Sequence, residues 1–300
     1  MPVIEVRNLR KSYRDHVAVA DVSFSVEEGE IFGILGSNGA GKTTTVECIE
    51  GLRSPDAGTI TVGGLDPQRD REQLRRVLGI QLQAGELPER LRVAEAVELF
   101  ASFYPDPADP AALIEQWGLA AKRDTAFKEL SGGQRQRLSI VLVLVGNPRV
   151  AILDELTTGL DPAARRDAWS AIEQIRESGV TVVLVTHFME EAERLCDRVA
   201  VLDAGRVVAL DSPAGLVAEL AASQRLRFRP TTDVDDAMLR ALPGVASVTR
   251  HGTAIEVTGS GELLAVVTSE LARRGVLAAE LRVVQAGLDD AFLALTKEKI

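Results

Sequence analysis

A glycine-rich stretch between an apolar run and a helix-like run constrains the fold more than any other part of the sequence. The apolar run is residues 31–35, and the stretch after it fits the pattern Gly-x-x-x-x-Gly-Lys-Thr. This order predicts a strand that delivers a loop to a helix, whose free N-terminal amides face a bound anion. Because glycine has no Cβ, the backbone can wrap closely around a phosphate. The predicted phosphate-binding residues are Gly36, Ser37, Asn38, Gly39, Ala40, Gly41, Lys42, Thr43 and Thr44.

Two side chains of this loop would carry its chemistry. Lys42 would reach the β- and γ-phosphates of a nucleotide, and the Thr43 hydroxyl would ligate Mg²⁺. The alternative interpretation is a glycine-rich turn that happens to precede a lysine. The flanking strand and helix patterns favour phosphate binding.

The composition excludes several classes of protein. The chain has 300 residues, 46% of them hydrophobic, which predicts one large and one smaller globular domain rather than a disordered or fibrous protein. A net charge of −10 argues against broad nucleic-acid binding, which needs many lysines and arginines that face phosphates. The N-terminus lacks a secretory signal pattern, and the longest nearly apolar run, residues 138–145, is too short to span a bilayer. We therefore expect a cytoplasmic protein.

Polar residues follow two further apolar runs. Asp154 and Glu155 follow residues 150–153. Because ligands bind at the carboxyl ends of parallel strands, Asp154 is a candidate Mg²⁺ ligand and Glu155 a candidate base for water. The alternative for this pair is an acidic turn after a strand. His187 follows residues 180–185, a strand of the buried parallel type. It could donate a hydrogen bond to a γ-phosphate oxygen or, alternatively, cap the next helix.

A helical insertion is predicted at about residues 84–145. Apolar residues recur at helical spacing from Val93 to Tyr104, and helix-like patterns interrupted by prolines continue beyond them. Within the insertion, Ser131 precedes two glycines and an apolar helix, which predicts an N-cap with exposed amides that face an anion. The alternative is a capped helix with no further role. Near the N-terminus, Tyr13 lies in a predicted loop, where it could stack on a purine ring or pack against protein.

The pattern of elements restarts after residue 222. The order β-α-β-β-α-β, followed by a short helix, is typical of a small ferredoxin-like domain. No cluster of nucleophiles, bases or metal ligands is visible in this part of the sequence. We therefore predict an α/β fold: a mixed sheet with a helical subdomain in residues 1–222, and an accessory α+β domain in residues 223–300.

Together these motifs resemble those of the ATP-binding subunits of ATP-binding cassette (ABC) transporters. The glycine-rich loop matches the Walker A motif, residues 150–155 match Walker B, and Leu130-Ser-Gly-Gly-Gln134 matches the signature motif. The resemblance covers about residues 3–222. It departs at Leu156, where the family usually has proline, a change that affects loop rigidity and removes no catalytic group. The sequence after His187 and the extra C-terminal domain are similar to those of the daunorubicin-type drug-export ATPases.

The resemblance implies a role for each matching position. The implied catalytic residues are Lys42, Glu155 and His187. The implied Mg²⁺ ligands are Thr43, Gln83 and Asp154. Besides the Walker A loop, the residues implied to bind ATP are the adenine-stacking Tyr13 and the Q-loop glutamine Gln83. Spacing to Leu91-Arg-Val93 favours Gln83 over Gln81 for that glutamine. The residues implied to contact ATP from a second subunit are Ser131, Gly132, Gly133, Gln134 and Asp161.

The family also implies an activity and partners. The expected function is hydrolysis of ATP with Mg²⁺ to power a separate membrane permease, with export of a drug, lipid or other amphiphile. The expected partners are a second copy of the chain in a head-to-tail dimer and a permease that holds the protein at the cytoplasmic face of the membrane, with no nucleic acid. The alternative is a soluble ABC ATPase that acts on DNA or ribosomes. Such proteins typically carry coiled coils, metal-binding inserts or two cassettes in one chain. A P-loop kinase would not explain the Ser-Gly-Gly-Gln motif.

Overall fold

The chain divides into two compact units. The computed structural model describes residues 2–81, 87–220, 224–284 and 287–297. The units are Met1–Pro213 and Ala214–Ile300, so the division falls earlier in the sequence than the predicted boundary at residues 222 and 223. The observed division lies at the start of a helix that the sequence pattern assigns to the end of the first domain. Each unit is described by itself below.

The N-terminal unit is built on a mixed sheet. Its strands are β1 (Pro2–Tyr13), β2 (His16–Glu27), β3 (Ile31–Gly36), β4 (Ala57–Val62), β5 (Leu78–Gln81), β6 (Val150–Asp154), β7 (Thr181–Thr186), β8 (Arg198–Asp203) and β9 (Arg206–Asp211). Within the described residues they lie in the order β4-β1-β2-β9-β8-β3-β7-β6-β5. Strands β3, β6 and β7 are apolar along almost their whole length and are buried on both faces, as expected of central parallel strands.

The parallel register brings the polar strand ends to one edge of the sheet. β7 pairs with β3 on one side and with β6 on the other, all three in the same direction. Leu35 lies opposite Thr186, and Asp154 lies opposite Val185. The loop after β3, the two carboxylates and His187 therefore leave the sheet side by side, where a ligand of a parallel sheet is expected.

Helices flank this sheet and form the insertion. They are α1 (Lys42–Ile49), α2 (Arg71–Val77), α3 (Val93–Ala101), α4 (Pro110–Gln116), α5 (Gly132–Leu144), α6 (Pro162–Glu177) and α7 (Met189–Leu195), and α8 (Pro213–Leu220) follows at the division between the units. The insertion thus contains α3, α4 and α5, and α4 begins at Pro110 with Asp109 as its N-cap. Residues 82–86, where the predicted insertion begins, lie outside the described residues. No helix in the described part of the chain is long and apolar enough to cross a membrane.

The N-terminal hairpin is longer than the sequence pattern predicts. β2 runs without a break through Asp21, where the pattern indicates two short segments, because β1 pairs along the strand and Arg206 of β9 pairs with Asp21 from the other side. The prediction of a loop around Tyr13 is also wrong. Tyr13 is the last residue of β1 and pairs with His16 across a two-residue turn, in which Arg14 adopts a φ of 50°.

The C-terminal unit has the topology of a ferredoxin-like domain. Its further elements are β10 (Gln224–Pro230), α9 (Asp236–Arg240), β11 (Val245–His251), β12 (Ala254–Gly259), α10 (Leu263–Arg273), β13 (Ala278–Val284) and α11 (Leu288–Lys297). The sheet order β11-β12-β10-β13 is antiparallel throughout the described residues. The predicted β-α-β-β-α-β order is therefore confirmed, and one face of the sheet buries Leu226 and Phe228 against apolar residues of α9 and α10.

We expect the N-terminal unit to bind nucleotide without the C-terminal sheet. The hydrophobic cluster beneath the Walker A loop draws on residues 3–202, and that of the C-terminal unit on residues 226–276, so neither core depends on the other. Truncation after Ala222, which keeps α8, should leave the affinity for ATP unchanged. Equilibrium titration of full-length and truncated protein, with circular dichroism as the test of folding, measures this. A folded truncated chain that fails to bind ATP would refute the prediction.

Candidate nucleotide-binding site

The Walker A loop between β3 and α1 is fixed by neighbouring backbone. A Cβ on Gly36 would meet the carbonyl of Leu202, and a Cβ on Gly41 would meet the carbonyl of Ala18. Gly41 also has a φ of 97°, which favours glycine. The Gly205 amide, in the turn between β8 and β9, donates to the Ala40 carbonyl at 3.1 Å. These two glycines are thus required by packing within the chain, in addition to the close approach of a phosphate.

The residues of the loop are not equally accessible. Ser37, Asn38 and Gly39 are exposed, whereas the Ala40 side chain is buried in the hydrophobic core. The Ala40 amide donates to the Ser37 carbonyl at 3.1 Å, which closes a turn within the loop. Ala40 therefore shapes the loop from below, and its exposed neighbours form the surface that faces a ligand.

Lys42 is a buried cation held inside the loop. Only 7% of the residue is exposed. Its Nζ donates hydrogen bonds to the backbone carbonyls of Gly36 at 2.8 Å and Ser37 at 3.1 Å. Burial lowers the pKa of Lys42, while the nearby charges of Glu155 and Asp154 oppose that change. The ammonium is thus directed by backbone acceptors to the centre of the loop, where a phosphate oxygen would find it.

The two carboxylates leave the end of β6 in different environments. Asp154 is buried, and burial raises its pKa to about 6, with a further rise from the charge of Glu155 and an opposing effect from Lys42. Glu155 has a φ of 50°, an uncommon backbone for a residue other than glycine. Its amide donates to the Val185 carbonyl at 2.9 Å, which holds this conformation against β7. Strained backbone of this kind concentrates at functional sites.

The donor set fits a magnesium ion that is bound together with a nucleotide. Thr43 is an exposed residue at the start of α1 with a hydroxyl as donor atom, and Asp154 offers a carboxylate whose pKa is raised by burial first and by the charge of Glu155 second. The described residues contain no cluster of three or more acidic, histidine or cysteine side chains that could hold a metal by themselves. Mg²⁺ keeps most of its ligands as waters and substrate phosphates, so Thr43 and Asp154 could hold it together with a nucleotide.

His187 is oriented by a carboxylate and by an aromatic stack. Its Nδ1 lies 3.1 Å from Oε1 of Glu155. The imidazole packs against Phe188 with ring centroids 4.1 Å apart, and the guanidinium of Arg165, from α6, lies 4.6 Å from the centre of the Phe188 ring. The Phe188 amide donates to Oγ1 of Thr186 at 3.0 Å. This histidine therefore contacts the predicted base, while the predicted helix-capping role is not observed, because α7 begins at Met189 without a side-chain cap.

The signature residues form the start of α5. Ser131 is the N-cap, and its Oγ accepts a hydrogen bond from the Gln134 backbone amide at 3.3 Å. In return, Oε1 of Gln134 accepts one from the Ser131 backbone amide at 3.0 Å. The predicted N-cap is therefore confirmed. A Cβ built on Gly132 or Gly133 would meet nothing within 4 Å. These two glycines are therefore not required by the packing of this chain, unlike those of the Walker A loop.

Asp161 and Tyr13, two further predicted site residues, contact residues that lie close to them in the sequence. Oδ1 of Asp161 accepts from the amides of Ala163 and Ala164 at 2.9 and 3.0 Å, which caps α6 and holds the pKa of this carboxyl below its usual range. The Tyr13 ring is 37% exposed, with Nζ of Lys11 lying 5.6 Å from its centroid. Gln83 lies outside the described residues.

The structure brings together four predicted residues and adds two that sequence reasoning missed. Lys42, Asp154, Glu155 and His187 share one edge of the sheet and interact electrostatically. Glu50, at the end of α1, was missed: burial raises its pKa to about 8, with further rises from Asp154 and Glu47. Gln136 was missed too, although its side-chain amide donates to the Leu156 carbonyl and so joins α5 to the loop after Glu155. No spacing signal marks Glu50, whereas Gln136 lies just beyond the signature motif.

Comparisons with known proteins agree with this geometry. The family model described as "ABC transporter" matches residues 19–158. The Nod factor export ATP-binding protein I of Rhizobium etli is 36% identical over 304 aligned positions, which cover 99% of this chain and 94% of the relative. Its similarity thus extends over both units.

Solved structures resemble about seven tenths of the chain. A subunit of the ABC transporter complex cbiONQ from Clostridium perfringens has a TM-score of 0.67 and 29% identity, covering 73% of this chain and 92% of that protein. An ATP-binding cassette solved as a dimer in a post-hydrolysis state with ADP and Pi has a TM-score of 0.62 and 25% identity, covering 70% of this chain and 98% of that one. The chain thus belongs to the ABC transporter family, as an ATP-binding subunit whose ATPase activity is coupled to transport.

Proposed function

We propose that Glu155, His187 and Lys42 carry out ATP hydrolysis in this chain. The observation that supports this most directly is the contact between Glu155 and His187 at the sheet edge that also holds Lys42. Glu155 would accept a proton from the attacking water, and His187 would hold that carboxylate in place and donate towards the γ-phosphate. Lys42 would stabilise charge on the transferred phosphoryl group.

We further propose that Mg²⁺ binds with ATP at this edge. The residues that would hold it are Thr43, Asp154 and Gln83. When bound, the ion neutralises charge on the phosphates as the leaving group departs. The buried position of Asp154 keeps its carboxylate fixed at the strand end, and the exposed hydroxyl of Thr43 lies at the start of α1. Tyr13, half exposed at the end of β1, would stack on the adenine ring.

The active unit that we propose is a head-to-tail dimer of the chain. Lys42 and the loop amides cover one side of a triphosphate and leave the outer side of the γ-phosphate open. The start of α5 in a second copy would cover it, because Gly132 and Gly133 leave room for close backbone approach that this chain itself does not use. Ser131, Gln134 and Asp161 would complete that contact, and the exclusion of water would strengthen each charge interaction inside.

A groove in the N-terminal unit is the proposed docking site for the permease. It has a volume of about 600 Å³ and lies between the end of α1, α2, β5 and the segment after α3. Leu52 and Phe103 line it and are 59% and 66% exposed, with Arg71 and Arg75 also in its lining. Large exposed apolar side chains beside cations suit an amphipathic cytoplasmic segment of a membrane protein that carries acidic residues. Docking there would hold the chain at the cytoplasmic face of the membrane.

Export is the proposed direction of transport. The relative that aligns with nearly the whole chain is named for Nod factor export, and its alignment includes the C-terminal unit. A drug, lipid or other amphiphile is the proposed class of cargo, on the resemblance to drug-export ATPases. A non-transport ATPase acting on DNA or ribosomes is disfavoured, because the relatives are transporter subunits and the net charge is −10.

Replacement of the proposed base tests the catalytic roles. Glu155→Gln should reduce the rate of ATP hydrolysis by at least ~10²-fold, the scale of a general-base contribution, and should leave ATP binding intact. The matched control is Glu190→Gln, an exposed carboxylate of α7, which should hydrolyse ATP at the normal rate. Near-normal turnover by Glu155→Gln would rule out the assigned role.

Mixed dimers test the shared site. Lys42→Ala alone and Ser131→Arg alone should both be inactive. A dimer of one subunit of each kind has one site with both defects and one intact site, so single-turnover hydrolysis should return when the two variants are mixed. Crosslinking would establish that mixed dimers form. If they form and no hydrolysis returns even in a single turnover, the shared-site model fails.

A charge placed in the groove tests the docking site. Phe103→Asp should reduce permease recovery in a pull-down from detergent-solubilised membranes by at least about tenfold, because burial of an unpaired carboxylate is unfavourable by several kcal/mol. Isolated ATPase activity should stay unchanged. Leu99→Asp is the matched control, since Leu99 is an exposed apolar residue of α3 outside the groove lining. Equal recovery with both variants would place the docking site elsewhere.

A further inference from the structure

The C-terminal sheet packs one face against α9 and α10, and arginines of β10 lie on the other face. Along β10 the side chains alternate, so that Leu226 and Phe228 enter the hydrophobic core while Arg225, Arg227 and Arg229 lie on the opposite face. Arg227 and Arg229 are exposed. The chain as a whole carries a net charge of −10, whereas three alternate positions of this one strand are all arginine.

A neighbouring strand adds another arginine directly opposite. Arg282 of β13 pairs with Arg227 of β10 in the antiparallel ladder. Like charges at directly opposite positions destabilise a sheet, so this pair lowers the stability of the free domain. Within the described residues neither guanidinium forms an ion pair, although Glu256 lies opposite Arg227 on β12. An anion bound between the two guanidinium groups would remove this repulsion.

The arginines around this pair have partners in the same surface. Arg229 pairs with Glu280 at 3.1 Å, and Arg225 pairs with Asp290 at the start of α11. Glu280 adopts a φ of 53° where the ladder register shifts between Arg227 and Arg229, so the bulge carries this carboxylate towards Arg229. The two ion pairs hold Arg229 and Arg225, whereas Arg227 and Arg282 form no ion pair within the described residues.

These side chains surround a concave surface of ligand size. A cavity of about 310 Å³ is lined by Arg227, Phe228, Arg229, Ala254, Glu280 and Arg282. This volume lies at the lower end of the range for small-molecule sites. Guanidinium groups present planar forks of donors that match the oxygens of a phosphate, and Glu280 could accept a hydrogen bond from a hydroxyl or amine next to that phosphate.

We propose that this face of the C-terminal sheet, defined by Arg227, Arg229, Arg282 and Glu280, binds a phosphate group. The phosphate is carried by an anionic lipid headgroup or by a soluble phosphorylated molecule. The site is separate in sequence and chemistry from the Walker A loop, and it gives the C-terminal unit a binding role that does not depend on ATP hydrolysis. Arg227 and Arg282 would each contribute two donors to the phosphate, and its charge would remove their mutual repulsion.

The test compares two double variants of the full-length protein. Arg227→Gln/Arg282→Gln removes the proposed site. Arg273→Gln/Arg274→Gln removes the same charge from α10, where both arginines pair with Glu270 on the helix. One probe is flotation with phosphatidylcholine vesicles in which about 30% of the lipid is the anionic phosphatidylglycerol. Vesicles of pure phosphatidylcholine are the comparison. The other is calorimetric titration with inorganic pyrophosphate in EDTA, with Lys42→Ala present in every protein compared so that the Walker A loop does not bind the probe.

We expect the Arg227→Gln/Arg282→Gln variant to bind one of the two probes at least about tenfold more weakly than the wild type, the effect of two arginines at an anionic surface. The α10 variant should bind like the wild type. Loss of vesicle binding alone identifies a lipid headgroup, and loss of pyrophosphate binding identifies a soluble ligand. Thermal unfolding checks the fold, since removal of a like-charge pair should not lower the melting temperature. If the wild type binds neither probe, or if both double variants lose binding equally, the proposal is wrong.

Discussion

The nucleotide site depends on three charged groups at the carboxyl edge of the parallel strands, of which Lys42 and Asp154 are buried and Glu155 is partly buried. Lys42 is held by loop carbonyls and faces Asp154 and Glu155, so one cation meets two anions where solvent is scarce. In such surroundings a charge is costly unless it is paired. Burial raises the pKa of Asp154, and the charge of Glu155 raises it further. Bound Mg²⁺ would offset the charge of Asp154, which links ligand binding to the stability of this edge.

The sequence was sufficient to locate this edge because each element is local. An apolar run followed at once by a polar motif predicts a strand and the group at its end, and three such runs supplied the loop, the carboxylates and His187. Contacts between distant elements could not be read in this way. The stack of Arg165 on Phe188 joins α6 to the residue after His187, and only the folded chain shows it. The pairing of Tyr13 with His16 is local, but the sequence pattern indicated a loop there in place of a tight hairpin turn.

In the C-terminal unit, too, the sequence predicts the elements but not the contacts between them. The order of its elements was predicted, and the alternation of arginines at positions 225, 227 and 229 is visible in the sequence. Which residue lies opposite Arg227 depends on the register of β13, and that register contains a bulge at Glu280. A shift of one residue would place Val283 opposite Arg227 instead of Arg282. The cluster of charge on this face is therefore a property of the pairing and not of the strand alone.

Glu50 connects the proposed docking groove to the chemistry. Its carboxyl lines the groove at the end of α1, and its pKa is raised to about 8 by burial and by the charge of Asp154. Electrostatic interaction is reciprocal, so a group that alters the charge or solvation of Glu50 also alters the environment of Asp154. A cationic or water-excluding segment in the groove would act on both. β5 contributes Leu78 and Ile80 to the same groove and pairs with β6, which ends at Asp154, so a docked permease would contact a strand next to the one that carries this carboxylate.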